Sequence, residues 1–257
     1  MRSDAYARVA TDRQIRDLVG DIPTIFLSAS VPYEREVPKT ISAAERRSAK
    51  LLNQRYLANA QPARVRSAVI ALTRATLMRK ARLAFGAHPS ISPMVLAAAR
   101  DVQAPKASVL IFQSEFFEGT VPSSTLELAS WESGLLLLTR AEAPRKDQSE
   151  DQRRARSLKR MRDLMVSVPG LCASVFVGGM EGVPAEANIV CERHPQLPVY
   201  ALASTGSAAR ELSEADPARY NGRRPEAAKL MASPSYSVVA QQILDDVLPM
   251  RDARAKQ

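Results

Sequence analysis

The chain has 257 residues, of which 46% are apolar, 25% are charged and 5% are aromatic, and its formal net charge is +9. That apolar content can fill a sizeable core, which excludes a disordered tail, a collagen and a disulfide-stapled miniprotein. No apolar run approaches the roughly 18 residues that a membrane span needs, and the first 21 residues lack the apolar stretch of a secretory signal. The two cysteines, Cys172 and Cys191, fit a reducing cytoplasm, where we expect the protein to work.

Six short apolar runs predict β-strands. Most of them are continuous rather than alternating, which is typical of strands buried on both faces of a parallel sheet. In chain order the runs are 24–28 (TIFLS), 82–86 (RLAFG), 108–113 (SVLIFQ), 134–139 (GLLLLT), 171–178 (LCASVFVG) and 198–203 (PVYALA).

Segments with helical spacing fall between and after these runs, at 41–59, 64–80, 92–102, 150–168, 184–194, 207–214 and 234–248. The repeated strand–helix order predicts an α/β fold: a three-layer, Rossmann-like parallel sheet with helices on both faces and right-handed crossovers. We expect an N-terminal extension at 1–21, one main domain at 22–216 that carries a basic helical insertion at 37–62, and a C-terminal helical extension at 217–257.

The positive charge is concentrated in one stretch. Residues 37–80 hold ten basic residues and one acid, a net +9, whereas residues 171–216 carry −4. The basic stretch is either a solvated helical face or a contact surface for a partner or a polyanion. Tyr56 is the only aromatic residue in it, and proteins that stack nucleic-acid bases usually interleave several.

Small and hydroxyl-bearing residues follow four of the predicted strands. Ligands of an open parallel sheet bind beyond the carboxyl ends of its strands, where bare backbone amides favour a phosphate or another anion. We therefore expect a ligand site built from four turns: Ser28 and Ser30; Gly86, His88 and Ser90; Gly178, Gly179, Met180, Glu181 and Gly182; and Ser204, Thr205 and Gly206.

Three acids and one histidine in this region leave alternatives open. His88 either contacts a phosphate or moves a proton, or is a turn histidine satisfied by backbone. Glu186 lies in the first turn of a predicted helix, so it either interacts with the helix dipole or holds a ribose hydroxyl or a sugar cation. Glu181 lies inside the glycine turn and shares these roles. Gln113, Ser114 and Glu115 end the third predicted strand and can touch the same ligand, while Phe116 and Phe117 are expected to cover core.

Common cofactor motifs are missing from the sequence. No GxGxxG follows the first predicted strand, no GxxxxGK[ST] occurs, and the cysteines and histidines lack the spacing of a zinc site. We therefore expect no metal and no classical dinucleotide or P-loop site.

Five motifs together resemble the SLOG superfamily: IFLSAS (25–30), FGAHPSISP (85–93), IFQSEFF (111–117), VFVGGMEGVPAE (175–186) and ALASTGSAA (201–209). The similarity runs over about residues 22–212 and looks closest to bacterial SLOG proteins of nucleotide-signalling and anti-phage conflict systems. GGMEGVPAE is similar to the PGGxGTxxE signature of the lonely-guy phosphoribohydrolases.

The resemblance implies a Rossmann-like fold that binds a nucleotide or a nucleotide-derived molecule. It assigns Gly178, Gly179 and Gly182 to a phosphate cradle and Glu186 to the cleavage of an N-glycosidic bond. The sequence departs from the signature in three ways. One residue is inserted before the third glycine, Val183 replaces a threonine, and no arginine has a clear match to the enzymes' arginine partner of the glutamate.

Three functions follow as hypotheses. The first is a sensor that binds a nucleotide-derived signal and changes its own assembly or its contact with an effector protein, as in anti-phage defence. The second is an N-glycosidase or phosphoribohydrolase in which Glu186, with Glu181 or His88, is catalytic. The third is binding of single-stranded DNA, which the acidic region 171–216 opposes. Pairing into a homo-oligomer is plausible, and no membrane partner is expected.

Overall fold

The computed structural model of the protein describes residues 6–34, 43–146, 148–222, 224 and 226–248. Its centre is a seven-stranded sheet in which every neighbouring pair of strands is parallel. The strands are β1 (Tyr6–Val9), β2 (Thr24–Ser30), β3 (Arg82–Gly86), β4 (Val109–Ser114), β5 (Gly134–Thr139), β6 (Leu171–Gly178) and β7 (Val199–Ala201). The predicted Rossmann-like α/β fold is thereby confirmed.

The order of the strands across the sheet is β1-β5-β4-β3-β2-β6-β7. The chain builds outward from β2 in one direction through β3, β4 and β5, and then crosses to the other side of β2 for β6 and β7. The reversal lies between β2 and β6, where Ser30 pairs with Gly178. Such a reversal parts the connecting loops and opens a crevice at the carboxyl ends of the strands.

Ten α-helices surround the sheet within the described residues. They are α1 (Asp12–Val19), α2 (Ala43–Ala58), α3 (Pro62–Met78), α4 (Ser92–Asp101), α5 (Ser123–Ser130), α6 (Glu150–Met165), α7 (Gly182–Arg193), α8 (Ser207–Ala215), α9 (Ala227–Met231) and α10 (Tyr236–Val247). The first two residues of the helix predicted at 41–59 lie outside the described residues. None of the described helices is both long and apolar enough to cross a bilayer.

Two separate apolar cores flank the sheet. One core packs α3, α4 and α10 on the face formed by residues such as Leu83 and Ile111. The other packs α1, α6, α7 and α8 on the opposite face, which includes Phe112 and Phe176. Because both faces are covered, every residue of β4 and of β5 is buried, which explains their continuous apolar sequences.

The N-terminal residues contribute an edge strand that the apolar pattern did not predict. β1 pairs with β5, Tyr6 opposite Leu136 and Val9 opposite Thr139. It has four residues and only Val9 is buried, so it lacks the apolar run used to find the other strands. The helix that follows it, α1, begins with a capping box between Thr11 and Gln14, a signal readable from the sequence.

Arg82, the first residue of β3, ties α1 to the sheet from a buried position. Its side chain donates to the carbonyl of Val19, in the last turn of α1, and its Nε donates to the carbonyl of Ala107 at 3.1 Å. Burial lowers the pKa of Arg82. Carbonyls at the C-terminal end of a helix favour a cation, which explains why a buried guanidinium is kept here.

We expect Arg82→Met to lower the free energy of unfolding by about 2–4 kcal/mol, because it keeps the apolar stem but leaves two carbonyls unpaired. Urea denaturation followed by circular dichroism measures the effect. Arg82→Lys, which can still reach one carbonyl, should lose about half as much. A Met variant as stable as the wild type would contradict this role.

Candidate functional site

A crevice of about 810 Å³ opens at the carboxyl edge of the sheet, at the reversal between β2 and β6. Its walls come from the ends of β2 and β3, the turn after β4, the middle of α6 and the start of α7. Seven of the predicted site residues line it: Ser30, Gly86, His88, Gln113, Glu181, Gly182 and Glu186. The topology therefore brings three of the four predicted turns to one cavity.

An ion pair on the wall of this crevice is joined from behind by the hydroxyl of Ser28, which is buried and does not line the crevice itself. Ser28 Oγ donates to Glu186 Oε2 at 2.6 Å, and Arg162 Nε donates to Glu186 Oε1 at 3.3 Å. The Glu186 side chain is 15% exposed and that of Arg162 is 22% exposed. Burial raises the pKa of Glu186, and the Arg162 charge and the Ser28 hydroxyl oppose that rise.

The Arg162–Glu186 pair corrects one expectation from the sequence. No arginine had a clear match to the enzymes' arginine partner of the glutamate, yet α6 places Arg162 against Glu186. A signal for it was present, because Arg162 follows Leu158 by four residues and therefore shares its face of the helix. Leu158, Met161 and Arg162 all line the crevice.

The turn after β3 holds His88 in a defined orientation. Ser90 N donates to His88 Nδ1 at 3.2 Å, and Ser90 Oγ lies 2.8 Å from the same nitrogen. Val31 N donates to Ser90 Oγ at 3.1 Å, which joins this turn to the end of β2. Since Nδ1 accepts the Ser90 amide proton, the neutral ring carries its proton on Nε2. Ser90 thus positions His88 rather than lining the crevice itself.

Gly178 and Gly179, the glycine pair after β6, have structural roles in the fold. Gly178 N donates to Thr205 Oγ1 at 2.8 Å, and Gly179 N donates to Ser30 O at 2.8 Å. Both glycines have positive φ, and a Cβ on Gly179 would collide with Val183. Met180 is buried in the apolar core. The two amides assigned by resemblance to a phosphate cradle are therefore engaged, and of the three glycines in that cradle only Gly182 lines the crevice.

The turn after β7 lies under the junction of α2 and α3 instead of on the crevice. Ser204 and Thr205 are buried, and Ser204 Oγ donates to Ser233 O at 2.9 Å. A Cβ on Gly206 would overlap the carbonyl oxygen of Asn59. Ser207 Oγ donates to Tyr56 O at 2.7 Å. This turn therefore anchors the C-terminal end of α2.

The polar triplet after β4 divides between the crevice and the edge of the sheet. Gln113 lines the crevice, while its Oε1 accepts from Ser114 N at 3.0 Å. Ser114 is buried and its Oγ accepts from Phe116 N at 3.3 Å. Glu115 pairs with Arg8 of β1 at 2.5 Å and does not line the crevice.

The expectation that Phe116 and Phe117 cover core is wrong, because neither side chain belongs to either of the two apolar cores. Both side chains lie in a 3₁₀ turn, Glu115–Thr120, in which no residue is fully buried. Phe117 lines the crevice together with Tyr33, Thr120, Pro122 and Arg154, none of which belongs to the four predicted turns. Tyr33, Thr120 and Pro122 lie in loops or turns without periodicity, and Arg154 lies among several other charged residues of α6, so the sequence gives little signal for any of them.

Several charges of the basic stretch are neutralised by acids from other elements. Arg55 pairs with Glu211 at 2.6 Å, and Arg74 and Arg79 pair with Asp101 and Asp245. Among the described residues, no group of three or more His, Cys, Asp or Glu side chains could hold a metal ion.

A doubly wound parallel sheet with a polar crevice at its strand reversal defines a Rossmann-like protein with a candidate ligand site. The chain belongs to the SLOG cluster3 family, whose family model matches residues 55–227. The resemblance to the SLOG superfamily is thereby confirmed, and it indicates nucleotide-related ligand binding. No curated protein matches the sequence.

Proposed function

We propose that the protein is a sensor that binds a nucleotide-derived small molecule in the crevice between β2, β3, the turn after β4, α6 and α7. The observation that carries this proposal is the Arg162–Glu186 pair on the crevice wall. Burial raises the pKa of the Glu186 carboxyl. A buried ion pair adds little to the stability of a fold, so its presence on a crevice wall points to a functional role.

The chemistry of the crevice suits the parts of a nucleotide. Glu186 and Glu181 offer carboxylate oxygens that accept hydrogen bonds from ribose hydroxyls. Arg154, Arg162 and the N-terminal end of α7 at Gly182 provide positive potential for a phosphate. Phe117 and the apolar side chains of Leu158 and Met161 supply surface for a base.

We place this binding in a cytoplasmic nucleotide-signalling or anti-phage defence system, as the family resemblance implies. In that setting the bound molecule shifts an equilibrium of the protein, either its self-assembly or its contact with an effector. The exposed basic side chains of α2 and α3, such as Arg47 and Arg66, form the surface that we propose for such a contact.

Hydrolysis of an N-glycosidic bond is the second candidate, and the Arg162–Glu186–Ser28 arrangement favours it. In this reaction the C1′–N bond breaks, its electron pair leaves with the base, and the ionised Glu186 stabilises the positive charge on the sugar. A water molecule then adds to C1′ and loses a proton, and the departing base gains one. His88 or Glu181 is placed on the crevice to transfer these protons.

Glu186→Gln separates the two candidates. Isothermal titration against NAD⁺, ADP-ribose, AMP and cyclic dinucleotides measures binding, and chromatography of the same mixtures measures hydrolysis. For a sensor we expect wild-type binding without turnover, and about 10- to 100-fold weaker binding by the variant, since charged hydrogen bonds to the ribose are lost.

For an enzyme, the wild type releases free base and the Glu186→Gln variant loses turnover while still binding. Ser67→Ala, a change on the exposed side of α3 remote from Glu186, is the matched control and should behave as wild type. A folded wild-type protein that neither binds nor cleaves any nucleotide would refute both candidates.

A further inference from the structure

One wall of the crevice is aromatic and lies apart in sequence from the Arg162–Glu186 pair. It is formed by the 3₁₀ turn Glu115–Thr120, which contributes Phe117 and Thr120, and by Arg154 of α6. Phe117 is half-buried and lines the crevice. A phenylalanine kept at a cavity wall rather than in the core offers a flat apolar surface to whatever fills the cavity.

Two neighbours hold the Phe117 ring. The Arg154 guanidinium lies 5.6 Å from its centroid, and the Phe116 ring packs against it edge to face, with the centroids 5.0 Å apart. Arg153 lies 5.4 Å from the Phe116 centroid and continues the stack. Among the described residues Arg154 has no carboxylate partner, so its charge is available to a ligand.

The turn that carries Phe117 is tied to the edge of the sheet. Arg8 of β1 pairs with Glu115 at 2.5 Å and with Glu118 at 2.7 Å, and Tyr6 donates to Glu118 at 2.9 Å. Glu115 Oε2 also accepts from Ala141 N at 3.2 Å. A wall positioned before binding costs less ordering entropy when a ligand arrives.

Resting on the proposed function, we infer that Phe117 and Arg154 form the subsite for the nucleobase. The base stacks on the Phe117 ring, and the Arg154 guanidinium contributes a cation–π contact or a hydrogen bond to a base carbonyl. This orientation leaves the sugar beside Glu186. Stacking accepts any base because every base has a π face, so the ring provides affinity for bases as a class.

The test compares ligands with and without a base. Isothermal titration is carried out with AMP, with ADP-ribose and with ribose 5-phosphate, on the wild type and on Phe117→Ala, Phe117→Leu and Phe117→Tyr. We expect Ala and Leu to weaken binding of AMP and ADP-ribose about ten-fold or more, and Tyr, which keeps the ring, to change it less than three-fold. Any affinity for ribose 5-phosphate should be the same in all four proteins.

Each outcome separates this inference from the proposed function. Wild-type binding of the nucleotides with equal binding by Phe117→Leu overturns the base subsite and leaves the crevice as the binding site. An equal loss for ribose 5-phosphate and for AMP in Phe117→Ala also overturns it, because the ring would then act on the whole ligand. A wild type that binds no nucleotide refutes the proposed function itself. Thermal melts of all variants verify that they are folded.

Discussion

Arg162→Ala is expected to lower the free energy of unfolding by about 2–3 kcal/mol at neutral pH, because it leaves the Glu186 carboxylate without its cation. Removal of one partner of a fully buried pair costs about 3–5 kcal/mol, and the partial exposure of both side chains places this pair below that range. Urea denaturation of the single and double variants measures the loss. Arg162→Ala/Glu186→Gln should regain most of the stability, since neither charge remains.

The pH dependence gives this prediction a sign. Burial raises the pKa of Glu186 in the folded protein above its unfolded value. The stability that this residue contributes therefore falls as the pH rises from the unfolded-state pKa through the folded-state pKa. Loss of Arg162 raises the pKa further. The difference in free energy of unfolding between the wild type and Arg162→Ala should therefore be largest near neutral pH. It should become smaller in acid, where Glu186 is protonated. A deficit independent of pH would mean that only packing was lost.

Gly206→Ala is expected to destabilise the protein by at least about 3 kcal/mol. Gly206 has φ +74° and ψ −169°, a region that costs other residues about 1–3 kcal/mol, and its added Cβ would overlap the carbonyl oxygen of Asn59. The turn after β7 and the junction between α2 and α3 would have to separate. Hydrogen exchange should then report loss of protection in α2 before global unfolding.

Gly119→Ala is the matched control for this variant. Gly119 lies in the turn after β4, has no positive φ, and a Cβ there would meet nothing within 4 Å. We expect its free energy of unfolding to lie within about 0.5 kcal/mol of the wild type. A Gly206→Ala protein as stable as Gly119→Ala would show that the turn after β7 can move away from the Asn59 carbonyl at little cost. That result would contradict this prediction.

The sheet was predictable because its strands are buried on both faces. Six runs of apolar residues, such as LCASVFVG at 171–178 and GLLLLT at 134–139, mark strands within one or two residues of their observed bounds. β1 was not predicted because an edge strand of four residues needs little apolar sequence. α5 and the 3₁₀ turn before it were not predicted for a related reason, since they contain few apolar residues and come after the polar residues Gln113, Ser114 and Glu115.

The position of the candidate site in the fold could be predicted from the sequence, but the residues that line it could be predicted only in part. The ends of β2 and β3, which carry Ser30 and Gly86, converge with the start of α7 at Gly182 because parallel strands share one carboxyl edge. Sequence alone could not show that the amides of Gly178 and Gly179 are engaged by other strands and turns, or that the turn at Ser204 is covered by the junction of α2 and α3. The helical spacing of Arg162 after Leu158 gives the face of α6 on which it lies but not its partner, and the position of Phe117 depends on tertiary placement that no local pattern specifies.

The most direct test of ligand binding at the crevice is equilibrium dialysis of the protein against a small-molecule cell extract, with mass spectrometry of what it retains. The wild type and the Arg162→Ala/Glu186→Gln/Phe117→Ala triple variant are compared at equal concentration, after melts confirm that both are folded. We predict that the wild type enriches a nucleotide-derived compound and that the triple variant does not. Retention of no such compound, or equal retention by both proteins, would contradict a nucleotide site in this crevice.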